Sequence, residues 1–88
     1  MKLAEARNRI IRAIIRIQEN SGRELPDRIT GRFKPIGDLE GFDSLNGLEL
    51  SVMIAAEFDI DTQDNLCVSE DGRRALTVAE MVARVCGT

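Results

Sequence analysis

The stretch Gly41-Phe42-Asp43-Ser44-Leu45-Asn46-Gly47-Leu48-Glu49-Leu50 decides how the chain is read, because a glycine-punctuated loop turns into a helix within it. Either Asp43 or Ser44 can cap that helix, since each side chain can accept a hydrogen bond from a free first-turn amide. Beyond the cap, Leu45, Leu48, Val52 and Ala55 recur at steps of three and four, widened by Met53, Ala56 and Phe58. That period predicts a helix over 44–58 with this stripe as its apolar face. Gly47 in the early turns costs about 1 kcal/mol relative to alanine, which implies that something approaches the helix closely there.

Upstream, Leu3, Ala6, Ile10, Ile14 and Ile17 define an amphipathic helix over about 2–19, closed near Asn20-Ser21-Gly22. Lys2, Arg9, Arg12 and Arg16 fall on its opposite side, with Glu5 spaced to pair with Arg9. Residues 20–43 carry no sustained period and contain Gly22, Pro26, Gly31, Pro35, Gly37 and Gly41. A connection of that length in a small domain has a function or hides short turns; one such turn is expected near Ile36–Leu39. Leu25, Ile29, Phe33, Ile36 and Leu39 are the residues available to pin it across the bundle.

Downstream, residues 59–76 read as a loop holding a short helix around 63–70 and a turn at Asp71-Gly72. Thr77-Val-Ala-Glu80 is a capping box, and it opens a last helix over 77–86 that carries Val78, Met81, Val82 and Val85. The expected fold is therefore all-α: one domain over 1–88, a small four-helix bundle of three main helices and one short one, with a long first loop.

Composition narrows the function. The 88 residues include no Trp or Tyr and only three Phe, so the core is aliphatic. A chain this short buries roughly 60–65% of its extended surface, which leaves little room for an enclosed active site. The net charge of −3 divides unevenly: residues 1–34 hold nine Lys/Arg against four Asp/Glu, and residues 35–88 hold three against eleven. Such a split suits electrostatic steering toward a partner. Cys67 and Cys86 stand nineteen positions apart with no histidine in the chain, too few ligands for a metal site; two reduced thiols are expected. The longest apolar run, Val52–Ala56, has five residues, far short of a membrane span, and the Arg- and Glu-rich start does not read as a signal peptide. A cytoplasmic monomer without membrane insertion is expected.

Ser44 lies in the acidic half. A serine nucleophile needs a base within hydrogen-bond reach. With no histidine, and Lys2 and Lys34 the only lysines, no triad can be assembled, and the chain is not expected to be an enzyme. A helix start does, however, suit a serine that carries a phosphodiester, because free N–H groups and positive partial charge converge there.

Leu39-Glu-Gly41-Phe42-Asp43-Ser44-Leu45 resembles the Asp-Ser-Leu signature of acyl carrier proteins, whose serine receives 4′-phosphopantetheine. The resemblance extends through Leu48-Glu49-Leu50, Glu57-Phe58-Asp59 and the capped Thr77-Val78 helix, and is weakest over 20–34. It implies that a separate phosphopantetheinyl transferase, using coenzyme A and Mg²⁺, attaches the arm to Ser44, the metal and the transferase's base activating the hydroxyl. The arm's thiol then holds acyl groups as thioesters for the enzymes of fatty-acid, polyketide or related specialised biosynthesis. By the same resemblance, Asp43 helps the transferase approach, Leu45 offers an apolar contact, and Asp38, Glu49 and Glu57 meet basic docking surfaces on acyl-loading and acyl-processing partners. Asn46, where the family commonly has an acid, the apolar Ile54-Ala55-Ala56, and the arginine-rich first helix depart from the pattern and point to a specialised carrier. An aminoacyl or peptidyl carrier is the alternative.

Two readings of other classes stand beside it. Asp59, Asp61, Gln63, Asn65 and Glu70 match positions 1, 3, 5, 7 and 12 of an EF-hand calcium loop, but Asp64 replaces the glycine that loop needs at position 6. A nucleic-acid-binding module working through Arg9, Arg12 and Arg16 is opposed by the overall acidity and by the lack of interleaved aromatics.

Overall fold

The computed structural model describes residues 2–59 and 65–87. Four helices follow one another in them: α1 (Leu3–Asn20), α2 (Pro35–Asp38), α3 (Ser44–Phe58) and α4 (Val78–Cys86). The architecture is all-α, three long helices and one short, as the sequence predicts. Among the described residues β structure is limited to a single bridge between Val68 and Ala75, and no helix is long and apolar enough to cross a membrane.

α1 is the hub, packing against both α3 and α4. Its stripe of Ala6, Ile10, Ala13, Ile14 and Ile17 is buried, whereas Leu3, the first residue of the expected stripe, is exposed. The buried face also contains Gln18, which its polar character concealed in the sequence. Its Nε2 donates to the carbonyls of Glu24 (3.4 Å) and Glu40 (3.1 Å). Through Nε2 the amide ties together two distant points of the first loop, while its buried Oε1 has no hydrogen-bond partner among the described residues.

That loop is part of the fold. Leu39 and Phe42 join the core and Ile29, Phe33 and Ile36 pack against it, while Leu25 stays exposed. The short helix α2 sits in this loop, at the turn expected near Ile36–Leu39, and not at 63–70. Pro35 opens it with a preset φ, and the Lys34 N–H donates to the Asp38 carboxylate at 2.8 Å. The described part of the 63–70 segment is instead a turn-and-bridge: Leu76 N–H donates to Cys67 O (2.9 Å) and Ser69 N–H to Arg74 O (2.8 Å), closing around Asp71-Gly72. Asp71 takes bonds from Ser69 Oγ and Arg73 N–H, so local side-chain bonding outcompetes a helix there. Residues 63 and 64 of that expectation lie outside the described ones. Cys67 is fully buried in this segment, and both cysteines are free thiols. Burial pushes the Cys67 thiol up to about 12.

At the start of α4 every early amide finds an acceptor. Val78 N–H donates to Phe33 O (2.8 Å), Ala79 N–H to Gly31 O (2.9 Å) and Met81 N–H to Thr77 O (3.0 Å). Glu80 N–H takes Thr77 Oγ1 at 3.1 Å, and Glu80 Oε1 accepts from Thr77 N–H at 2.9 Å. This is the predicted capping box. The Thr77 amide, followed by the Arg74 guanidinium 2.8 Å away, holds the Glu80 carboxyl down to about 2. A carboxyl depressed on folding contributes stability that is complete above its unfolded value, near 4.5, and is lost as pH falls toward about 2. Glu80→Gln should therefore flatten the decline in melting temperature between about pH 4.5 and 2; an unchanged decline would show that the box does not govern acid stability.

α3 buries the face opposite to the one its stripe suggests. Asn46, Gly47, Leu50, Ser51 and Ile54 are buried, with Met53 and Phe58 half-buried at the edges, whereas Leu45, Leu48 and Val52 are 71%, 47% and 69% exposed. Two apolar rows run along this helix, Leu45–Leu48–Val52 and Leu50–Ile54, and periodicity cannot choose between them. Tertiary contacts choose the row that also carries Gly47 and Ser51. Those small residues let the second loop dock: Ser51 Oγ donates to Gly47 O (2.7 Å) and accepts from Leu66 N–H (2.8 Å).

Candidate functional site

The first turn of α3 brings the signature residues together. Asp43 is its N-cap, accepting from Asn46 N–H at 3.1 Å, and Asn46 Oδ1 accepts from Asp43 N–H at 3.2 Å. Asn46 is thus the second half of a capping box, which accounts for an amide at this position. Ser44, at the first helical position, is not the cap. It is exposed, and its Oγ has no hydrogen-bond partner among the described residues.

The contrast with α4 is instructive. Among the described residues, no acceptor meets the Ser44 and Leu45 N–H groups, while Asn46 and Gly47 N–H are taken by Asp43. Two amides and the positive end of a fifteen-residue helix therefore converge beside a free hydroxyl. That arrangement attracts a negatively charged group.

Two clasps hold this turn, neither foreseen from the sequence. Arg23 Nη1 donates to Asn46 Oδ1 at 3.0 Å from just beyond α1. Its guanidinium lies over Gly41, where an added Cβ would sit 2.7 Å from Arg23 Nε, and Gly41 itself adopts φ +70. The left-handed backbone favours glycine here, and a side chain would also displace the flexible Arg23 guanidinium from its place over the turn. On the other flank Asn65 Nδ2 donates to Ser44 O (2.9 Å) while its Oδ1 accepts from Cys67 N–H (2.9 Å). Asn65 rests directly on Gly47, whose Cβ, were it present, would lie 2.5 Å from Asn65 Oδ1. This is the close approach that a glycine in the early turns implied. The sequence signal was Gly47; nothing in it named the partner.

A double-mutant cycle tests that clasp. In the native background Gly47→Ala should be destabilising by about 1 kcal/mol, because displacing Asn65 outweighs the gain in helix propensity. In an Asn65→Ala background the same change should stabilise by about 1 kcal/mol. Identical effects in both backgrounds, measured by urea unfolding, would mean that Gly47 and Asn65 do not couple.

The remaining residues singled out in the sequence separate. Asp38 is exposed, its carboxylate engaged by the Lys34 amide; Glu49 is exposed on the outer side of α3. Leu45 is exposed beside Ser44 and heads the open apolar row. Glu57 turns toward α1 and pairs with Arg9 at 2.9 Å, with Glu5 4.0 Å from the same guanidinium. Arg9 is thereby drawn to α3 as well as to the Glu5 that its spacing suggested. Of the EF-hand set, Asp61 and Gln63 lie outside the described residues, and the Asn65 side chain is committed to protein groups. Among the described residues, no three His, Cys, Asp or Glu side chains gather as a metal ion would require.

No protein-family model, curated protein or solved structure matches this chain.

Proposed function

We propose that the chain is a carrier domain: Ser44 Oγ takes a 4′-phosphopantetheine arm from coenzyme A through a separate phosphopantetheinyl transferase, and the arm presents thioester-linked acyl groups to partner enzymes. The observation that carries this reading is the exposed Ser44 hydroxyl at the first position of α3, beside two first-turn amides, none of which has a hydrogen-bond partner among the described residues. Those amides and the helix dipole would stabilise the phosphodiester. Asp43 and Asn46 cap the helix, so modification of Ser44 would remove no capping bond. The arm would supply the thiol chemistry; the protein would hold its root and exclude nothing from it, in keeping with a carrier and not an enzyme. The test is intact mass after incubation with coenzyme A, Mg²⁺ and a broad-specificity transferase.

The open row of Leu45, Leu48 and Val52 is the surface that the enzymes using the arm would cover. Adjacent exposed apolar side chains on one helix face mark an interaction surface more often than isolated ones do. Glu49, beside that row, supports basic complements on those enzymes, with Asp38 and Asp43 nearer the serine. Leu48→Asp should slow loading by about tenfold with little change in unfolding, and Glu49→Lys should slow it more at low salt than at high salt. Loading rates unchanged by both substitutions would remove this face from the encounter.

A further inference from the structure

We propose that the groove between α1 and α3 is a second docking surface, fitted to an acidic, amphipathic segment of a partner protein. This inference goes beyond the carrier reading and does not depend on Ser44.

The groove is open to solvent, spans about 660 Å³ and is lined by Arg9, Arg12, Ile15 and Arg16 of α1 and by Met53 and Glu57 of α3. Its cations are not equivalent. Arg9 is satisfied by Glu57 and Glu5. Arg12 and Arg16 are exposed and, among the described residues, no carboxylate lies within ion-pair distance of either. They stand four residues apart on one helix face, a like-charge spacing that weakens a helix. An external anion at each would relieve that repulsion. Two positive charges about 6 Å apart along the axis, next to the apolar surface of Met53 and Ile15, fit carboxylates on a segment that also carries aliphatic side chains. Glu19 and Asn20 border the groove as well, and Glu19, three residues beyond Arg16, repels a carboxylate. The acidic groups of the segment are thus confined to the Arg12–Arg16 stretch.

Nucleic acid fits this surface less well. No aromatic side chain lines the groove for base stacking, and a chain of net charge −3 repels a long polyanion. A free phosphate would make no use of the apolar wall.

The experiment uses the unmodified chain, so its outcome is separate from Ser44 loading. The probe is a synthetic helix-forming peptide of glutamate, leucine and alanine, titrated in an amide NMR experiment. The expected result is a set of shifts centred on Arg12, Ile15, Arg16 and Met53. Arg12→Glu/Arg16→Glu should weaken binding about tenfold, as two exposed ion pairs become repulsions, and raised salt should weaken it as well. Arg28→Glu/Arg32→Glu, which alters net charge equally at two exposed positions of the first loop, should leave affinity within about twofold. Arg12→Gln/Arg16→Gln should give an intermediate loss, with circular dichroism verifying the helices. Equal weakening by the loop pair, shifts centred elsewhere, no binding, or more effective competition by a single-stranded oligonucleotide or inorganic phosphate would each overturn the proposal.

Discussion

Ser44→Ala is expected to gain no mass with coenzyme A, Mg²⁺ and a broad-specificity transferase, while the unaltered chain gains one phosphopantetheine. The expectation is all-or-none because the substitution deletes the only atom to which the arm would be joined. Its effect on folding should be small, within about 0.5 kcal/mol. The cap is Asp43, bonded to Asn46 N–H at 3.1 Å, and Ser44 Oγ bonds to nothing among the described residues, so alanine removes no interaction and is the better helix former. Cap substitution is a different matter: Asp43→Ala should cost about 1 kcal/mol and disturb the turn. Modification that persists in Ser44→Ala would dismiss the carrier reading, and so would an unmodified native chain under conditions that load a control carrier.

The largest effect on stability should come from Ile54→Ala, with Val52→Ala as its counterpart two residues away. Ile54 is fully buried and its removal should cost about 2–5 kcal/mol. For a chain of this size total stability is of order 4–13 kcal/mol, so much of the domain's margin would be lost. Val52 is 69% exposed, and trimming it should change stability by less than about 0.5 kcal/mol. Denaturant midpoints for the two variants decide which row of α3 faces inward. Comparable losses, or the reverse order, would overturn the packing described here.

That choice of row marks where sequence reading succeeds and fails. The extents of α1, α3 and α4 follow from apolar period and caps, which are local signals. The Thr77–Glu80 box and the Asp71-Gly72 turn follow for the same reason, as does the prominence of Ser44 at a helix start. The buried face of α3 does not follow, because Leu45, Leu48 and Val52 mimic a core stripe as well as Leu50 and Ile54 do. What breaks the tie is Asn65 resting on Gly47 and Leu66 bonded to Ser51, contacts made across the chain. The short helix was expected in the second loop and lies in the first, at Pro35, because Ser69 and Asp71 turn the second loop into a side-chain-bonded bend. Arg23 and Gln18 escaped notice for a related reason. Neither was singled out in the sequence, because the role of each depends on partners twenty or more residues distant.

The backbone bonds from Val78 and Ala79 to Phe33 and Gly31 make the start of the last helix dependent on the first loop. Residues 31–33 supply the acceptors for the first amides of α4, so the first loop and the last helix are expected to open and close together, although they are not neighbours in sequence. The amides of Val78 and Ala79 should consequently exchange with solvent deuterium in step with the opening of that loop, instead of fraying with the chain terminus. A ligand or protease that pries the loop from the bundle would release the C-terminal helix in the same event.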